Sequence, residues 1–200
     1  IEEVEDAPSR NHMAVTEDGR LIFSGGADKG IFEVTDWNGS GALTMKYFDE
    51  AYYFTFWNGR LLFDSMLGNN IYLYLMDIDT GALEQVGMTE TAQGEAEGEP
   101  VTAYSAAYTA YGNTLYFEGC RSDGGTGKTG IGLYSIGEGE SGEQAKLLLE
   151  LPAEGLQVTE MFTDGERLYC FFSDGRSGGK RRLTAYELDD FSKATEIFAA

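Results

Sequence analysis

Alternating acids provide the first residues in this 200-residue chain that could do chemistry. Asp77 and Asp79 lie in the run Asp77-Ile78-Asp79-Thr80-Gly81, where two carboxylates precede a turn glycine. Carboxylate oxygens are ligands that calcium prefers, but the distant glutamate of a complete calcium loop is missing. Asp side chains also stabilise ordinary turns by accepting bonds from their own backbone. We therefore expect a hairpin turn and no cofactor, with calcium as the alternative.

A second set of acids, Asp64, Glu118 and Asp174, closes apolar runs that resemble equivalent strands. Two of these carboxylates facing one cleft at about 5 to 9 Å would suit glycoside hydrolysis. His12 is the only histidine, so a Ser-His-Asp triad would depend on that residue and a multi-histidine metal site is excluded for this sequence. We expect no catalytic residue, and the three acids keep an enzyme as the alternative.

Candidate binding residues are of two kinds, aromatic and basic. The aromatic ones lie in or beside the runs expected to form innermost strands, where they could stack on a sugar or anchor a peptide. The basic ones cluster in one loop that could hold an anion or an acidic neighbour, although a solvated hairpin tip is the simpler interpretation. The candidates are Tyr52, Trp57, Tyr108 and Tyr111, and Arg176, Lys180 and Arg181.

The elements that position these residues follow from a fourfold repeat. A turn with a glycine at position 19, 59, 112 or 165 separates two strand-like runs, and the second run is Leu21-Ile22-Phe23-Ser24 or its counterpart each time. Branched and aromatic residues favour strands, and Asp-Gly or Asn-Gly between them predicts tight type I′ hairpins. Third and weaker fourth runs follow each pair. Repeats of this size predict four-stranded antiparallel blades of a β-propeller.

The sequence thus predicts an all-β chain with about four blades, at residues 11–48, 49–89, 101–152 and 155–200, in one domain. A β-sandwich is the rival architecture, but it does not require the same strand and turn order to recur at near-constant spacing. Whether the four blades are a segment of a larger ring is left open, as are the total blade number and the oligomeric state.

The second blade carries a family resemblance. The run from Asn70 to Gly81, preceded by Asn58-Gly59-Arg60-Leu61-Leu62-Phe63, resembles a blade of the TolB-like bacterial propellers and their extracytoplasmic relatives. The likeness extends over residues 11–200, although the third and fourth blades depart from the acidic turn. The resemblance implies export, with the protein at the bacterial cell surface, as a lipoprotein, or secreted. Propellers perform many jobs, so it does not imply one function.

Composition limits the classes of partner that the protein is expected to bind. The net charge of −20 repels nucleic acid and anionic lipid headgroups, and 42% hydrophobic residues suffice for a sizeable core. No apolar run is long enough to span a membrane. Cys120 and Cys170 are expected to be buried free thiols, with a disulfide between them as the alternative.

These observations favour a non-catalytic binding or scaffolding module of the bacterial cell envelope that recognises a protein or a glycan. The alternative is an accessory propeller domain of a hydrolase or peptidase, or a carboxylate-based enzyme acting on glycosides.

Overall fold

The computed structural model describes residues 12–16, 18–25, 30–35, 43–47, 51–67, 70–86, 101–122, 128–140, 144–152, 157–174 and 179–200. These residues form sixteen β-strands in four sheets, each of four consecutive strands paired in antiparallel order. The prediction of an all-β fold made of four-stranded blades is thereby confirmed. No helix in the described part of the chain has the length and apolar content needed to cross a membrane.

The strands fall into four blades in chain order. Blade 1 contains β1 (His12–Val15), β2 (Leu21–Gly25), β3 (Gly30–Val34) and β4 (Leu43–Tyr47). Blade 2 contains β5 (Ala51–Trp57), β6 (Arg60–Leu67), β7 (Asn70–Met76) and β8 (Leu83–Gln85). Blade 3 contains β9 (Thr102–Tyr111), β10 (Thr114–Ser122), β11 (Lys128–Gly137) and β12 (Lys146–Glu150). Blade 4 contains β13 (Gln157–Thr163), β14 (Arg167–Ser173), β15 (Arg181–Glu187) and β16 (Asp190–Ala199).

The first hairpin of each blade uses the repeated glycine in different ways. Asn58 and Gly59 have φ angles of 49° and 76°, as a two-residue type I′ turn requires, so the prediction is confirmed there. It is wrong at Asp18-Gly19 and at Asp164-Gly165, where only the glycine has a positive φ. The Asp18-Gly19 turn is wider because Thr16 pairs with Arg20, whose backbone N–H donates to the Thr16 hydroxyl at 2.8 Å.

The chain divides into two compact units, Ile1–Glu84 and Gln85–Ala200. In the first unit, alternate residues on one side of blade 1 pack against blade 2. Ile22 and Ile31 of blade 1 join Phe54, Leu61 and Phe63 of blade 2 in one buried cluster. Period-two alternation of the strand side chains produces this packing, because every second residue faces the neighbouring blade.

The second unit repeats this arrangement between blades 3 and 4. Cys120 and Leu133 of blade 3 pack with Leu168, Cys170 and Phe172 of blade 4. Cys120 and Cys170 are free and buried, which confirms the expectation of thiols rather than a disulfide. Elsewhere in blade 3, Gly119 allows close side-chain packing, since a Cβ there would lie 2.8 to 2.9 Å from the side chains of Val101, Phe117 and Tyr134.

Candidate functional site

Tyr111 joins the tips of two blades in the second unit. It closes β9 in blade 3, and its ring lies over Gly165, in the turn between β13 and β14 of blade 4. A Cβ on Gly165 would overlap the Tyr111 ring, so the contact depends on a glycine at this position. The ring nevertheless remains 55% exposed, so it combines a supported position with an accessible face.

Phe162 and Tyr169 form a second aromatic group in blade 4. Their rings stack at a centroid distance of 4.6 Å with an interplanar angle of 4°, and Phe162 is 52% exposed. The Tyr169 hydroxyl donates to Asp164 Oδ2 at 2.8 Å, and Asp164 Oδ1 accepts the backbone N–H groups of Glu166 and Arg167. These hydrogen bonds lower the pKa of Asp164, and the one from the Arg167 backbone N–H makes the largest contribution. Phe162 and Tyr169 lie on the face of blade 4 opposite to Met161 and Cys170, which pack against blade 3. We call Tyr111, Asp164 and Gly165 the blade-tip surface.

The other aromatic candidates differ in exposure. Trp57 is only 2% exposed, so its ring packs inside the protein and has no accessible face to offer a ligand. Tyr108 is half-buried in β9, opposite Phe117 of β10. Tyr52 lies in β5, but its side chain is outside the described residues. Of the four aromatic candidates, Tyr111 is therefore the one whose described side chain is exposed.

The basic candidates lie at the opposite end of the blade 4 hairpin. Lys180 and Arg181 are exposed at the start of β15, and Arg176 lies outside the described residues. The Lys180 backbone N–H donates to Asp174 Oδ2 at 3.2 Å. Arg182 follows Arg181 in the same basic run, and its guanidinium lies 4.5 Å from the centroid of the Phe172 ring. That cation–π contact depends on register across two strands, which no local pattern reveals.

The calcium candidates have other partners in this structure. Asp77 Oδ1 accepts the backbone N–H groups of Asp79 and Thr80 at 3.0 and 2.8 Å, and these bonds lower its pKa. Asp79 Oδ1 accepts a bond of 2.7 Å from the Arg20 guanidinium in blade 1. Among the residues that the structure describes, no group of three or more His, Cys, Asp or Glu side chains could hold a metal ion.

The Arg20 contact belongs to a recurring feature that sequence reasoning missed. Arg20, Arg60 and Arg167 each follow a first-hairpin turn, and each pairs with a carboxylate of a later strand or turn. The partners are Asp79, Glu84 and Glu187 respectively. The arginine spacing was visible in the repeat, but the identity of the partners depends on strand pairing.

The three acids proposed for glycoside chemistry have separate surroundings. Asp64 is buried in β6, and its Oδ1 accepts the Tyr53 backbone N–H at 3.0 Å. Asp174 follows the end of β14 and is half-buried. Glu118 is 1% exposed in β10, bonded to the Ser105 side chain and the Val158 backbone N–H, and burial raises its pKa. Glu118 is therefore buried in the contact between two blades.

The chain matches no protein-family model and no curated protein sequence. Solved structures do resemble it. TolB from Acinetobacter baumannii is 17% identical, with a TM-score of 0.51 over 96% of this chain. A TolB-type protein from Agrobacterium tumefaciens is 14% identical, with a TM-score of 0.60 over 96% of this chain. A prolyl endopeptidase structure is 13% identical, with a TM-score of 0.63 over 98% of this chain.

The chain spans less than two thirds of each of these structures, namely 43%, 65% and 30% of their respective lengths. At such low identities the likeness establishes the fold alone. Four consecutive antiparallel sheets that superimpose on TolB structures give this chain a TolB-like β-propeller fold.

Proposed function

We propose that the chain is a non-catalytic binding module of the bacterial cell envelope that recognises a protein or glycan partner through the blade-tip surface. The observation that carries this proposal is the exposed Tyr111 ring seated on Gly165, in a fold shared with TolB. The same likeness supports a place outside the cytoplasm, at the cell surface or secreted. A net charge of −20 argues against nucleic acid as the partner.

The blade-tip surface has the chemistry of a recognition site. An exposed tyrosine supplies flat apolar area and a polar hydroxyl with few rotatable bonds, so little conformational entropy is lost on binding. Asp164, which precedes Gly165 in the same turn, adds carboxylate acceptors. Sugar rings and peptide side chains both combine such apolar faces with hydrogen-bond donors. The role requires no cofactor, since Asp77 and Asp79 already bond the turn backbone and Arg20.

Site-specific photo-cross-linking tests the protein arm of this proposal. A photoreactive amino acid at position 111 is expected to capture one discrete partner in the native bacterium. The matched control is position 198, because Phe198 is also an exposed aromatic residue but lies in β16 at the blade periphery. Equal capture from both positions, or none from position 111 together with no glycan binding, would contradict the proposal.

Soluble peptidoglycan fragments and cell-wall polysaccharides test the glycan arm. Tyr111→Ala is expected to weaken binding at least about tenfold, as loss of a central aromatic anchor commonly does. Phe198→Ala should leave affinity unchanged. Titration by NMR or calorimetry measures both, and circular dichroism verifies that each variant keeps its strands.

The second candidate is the propeller domain of a peptidase, favoured by the similarity to the prolyl endopeptidase structure. In this case the protein purified from its native cells should hydrolyse a chromogenic prolyl peptide, whereas the 200-residue chain alone should not. Absence of hydrolysis by the cellular form would eliminate this candidate.

A further inference from the structure

Glu118 places an unusual carboxyl group between two blades. Its side chain is 1% exposed, and its Oε2 atom is buried without a hydrogen-bond partner. The group bonds to the Ser105 side chain of β9 and to the backbone N–H of Val158 in β13 of the next blade. The Glu118 carboxyl therefore connects blades 3 and 4, while one of its oxygens has no hydrogen-bond partner.

The strands around Glu118 are irregular at this point. The β9–β10 register shifts between Phe117 and Gly119, so Glu118 faces a local break in the ladder. The β13–β14 register shifts between Val158 and Glu160. Bulges re-aim side chains and interrupt pairing, and they occur often beside functional groups. Here two interruptions meet at the same carboxyl.

Among the residues that the structure describes, no cationic side chain contributes to the pKa shift of Glu118. The Cys170 thiol of β14 is close enough to interact electrostatically with it. The same core contains further titratable side chains, namely Tyr104 on β9, Tyr116 and Cys120 on β10, and Tyr186 on β15. Strands β11 and β13 contribute apolar side chains to it, namely Leu133, Val158 and Met161. Arg182 of β15 interacts electrostatically with Tyr186 and contacts the Phe172 ring, and it does not contribute to the pKa shift of Glu118.

Glu33 in the first unit provides an internal contrast. It is also buried, but the Lys46 ammonium lies 2.8 Å from its Oε2 atom. A buried carboxylate is tolerated when a cation compensates its lost hydration, and is costly when none does. A cation thus compensates the buried Glu33 carboxylate, whereas no cationic side chain contributes to the pKa shift of Glu118.

We propose that Glu118 is a pH-responsive joint: its neutral carboxyl permits the packing of β13 against β9, and its ionisation weakens the contact between blades 3 and 4. Burial raises the pKa of Glu118 above its ordinary value of 4.5, which outweighs the opposing effect of the Ser105 and Val158 bonds. The folded protein then holds a proton that the unfolded chain has released. Stability falls as pH rises from this ordinary value through the raised one.

The test compares wild type with Glu118→Gln, which resembles the neutral acid in shape. Between the two pKa values, the unfolding equilibrium constant of wild type should rise relative to that of the variant by up to about tenfold per pH unit. Exchange of the Val158 amide should accelerate with pH in wild type beyond the intrinsic chemical rate, and not in the variant. A difference between the two proteins that stays constant with pH overturns the proposal.

Two controls locate the effect. Glu160→Gln removes an exposed carboxylate from the adjacent strand, and it should leave the pH dependence of wild type in place. Cys170→Ala should also retain it, because the thiol stays protonated throughout this range. If Glu118→Gln fails to fold, carbon-13 NMR of the wild-type glutamate carboxyls decides the matter. A Glu118 signal that titrates with the exposed glutamates would refute the joint.

Discussion

Burial controls the reactivity of individual side chains in the second unit. Desolvation raises the pKa of Cys170 to about 12, with a further contribution from the nearby Glu118. Cys120 is equally inaccessible, and its sulfur lies 3.9 Å from the Thr102 hydroxyl. The thiolate is the reactive form of cysteine, so burial opposes the reaction of both thiols and the raised pKa also opposes that of Cys170. These two thiols therefore belong to the packing of blades 3 and 4.

We expect neither cysteine to react with Ellman's reagent in the native protein at about pH 8, because both sulfurs are buried and the pKa of Cys170 is raised. After denaturation both should react, giving the two thiols of the sequence. The absorbance of the thiolate released from the reagent gives the number of reactive thiols before and after denaturation. Fast reaction of Cys170 before denaturation would show that the contact between blades 3 and 4 opens readily.

Two equivalent first-hairpin turns, at Gly19 and Gly165, differ in whether a neighbouring side chain packs against the glycine. Gly19 and Gly165 both have positive φ, 86° and 92°, in equivalent first hairpins. No atom lies within 4 Å of a Cβ built on Gly19, whereas a Cβ on Gly165 would overlap Tyr111. The backbone strain of a substitution is thus similar at the two positions, and the steric cost differs.

We expect Gly19→Ala to lower the free energy of unfolding by about 1 to 2 kcal/mol through backbone strain. Gly165→Ala should cost more, since Tyr111 must also move. Urea unfolding followed by circular dichroism compares the two variants. Adding Tyr111→Ala to Gly165→Ala should remove the excess, and equal losses in both single variants would argue against the contact.

Charge is the dominant property of the whole molecule. Of the 34 acidic residues, eight lie in residues 157–200, together with six of the 14 basic residues. The negative excess is therefore concentrated in residues 1–156. Like charges at this density destabilise a compact state by mutual repulsion, and salt screens that repulsion. Basic partners or surfaces are favoured at long range.

Raising monovalent salt from roughly 0.05 to 0.5 M at neutral pH should raise the melting temperature, because the Debye length falls below the spacing of most surface charges. Near the sequence pI of about 4.2 the increase should shrink, as the net charge approaches zero. Thermal unfolding by circular dichroism at both pH values measures this. A lower melting temperature at high salt and neutral pH would mean that attractive ion pairs outweigh the repulsion.

Local chemistry along the chain determined the strands, the four blades and the free cysteines of this protein. Period-two apolar runs and repeated turn glycines act over a few residues, so they can be recognised without knowing what packs against them. The capping role of the Asp77 turn follows from the same short-range chemistry.

Tertiary structure alone decided which candidate residues have an accessible side chain and which groups are buried. Trp57 and Tyr111 are both aromatic residues at the ends of the first strands of their blades, yet the first is buried and the second is exposed on Gly165. Glu118 is similar in sequence context to Asp64, but it contacts a backbone amide 40 residues away in the next blade. Contacts between blades depend on register and packing over long sequence separations, which local patterns do not encode.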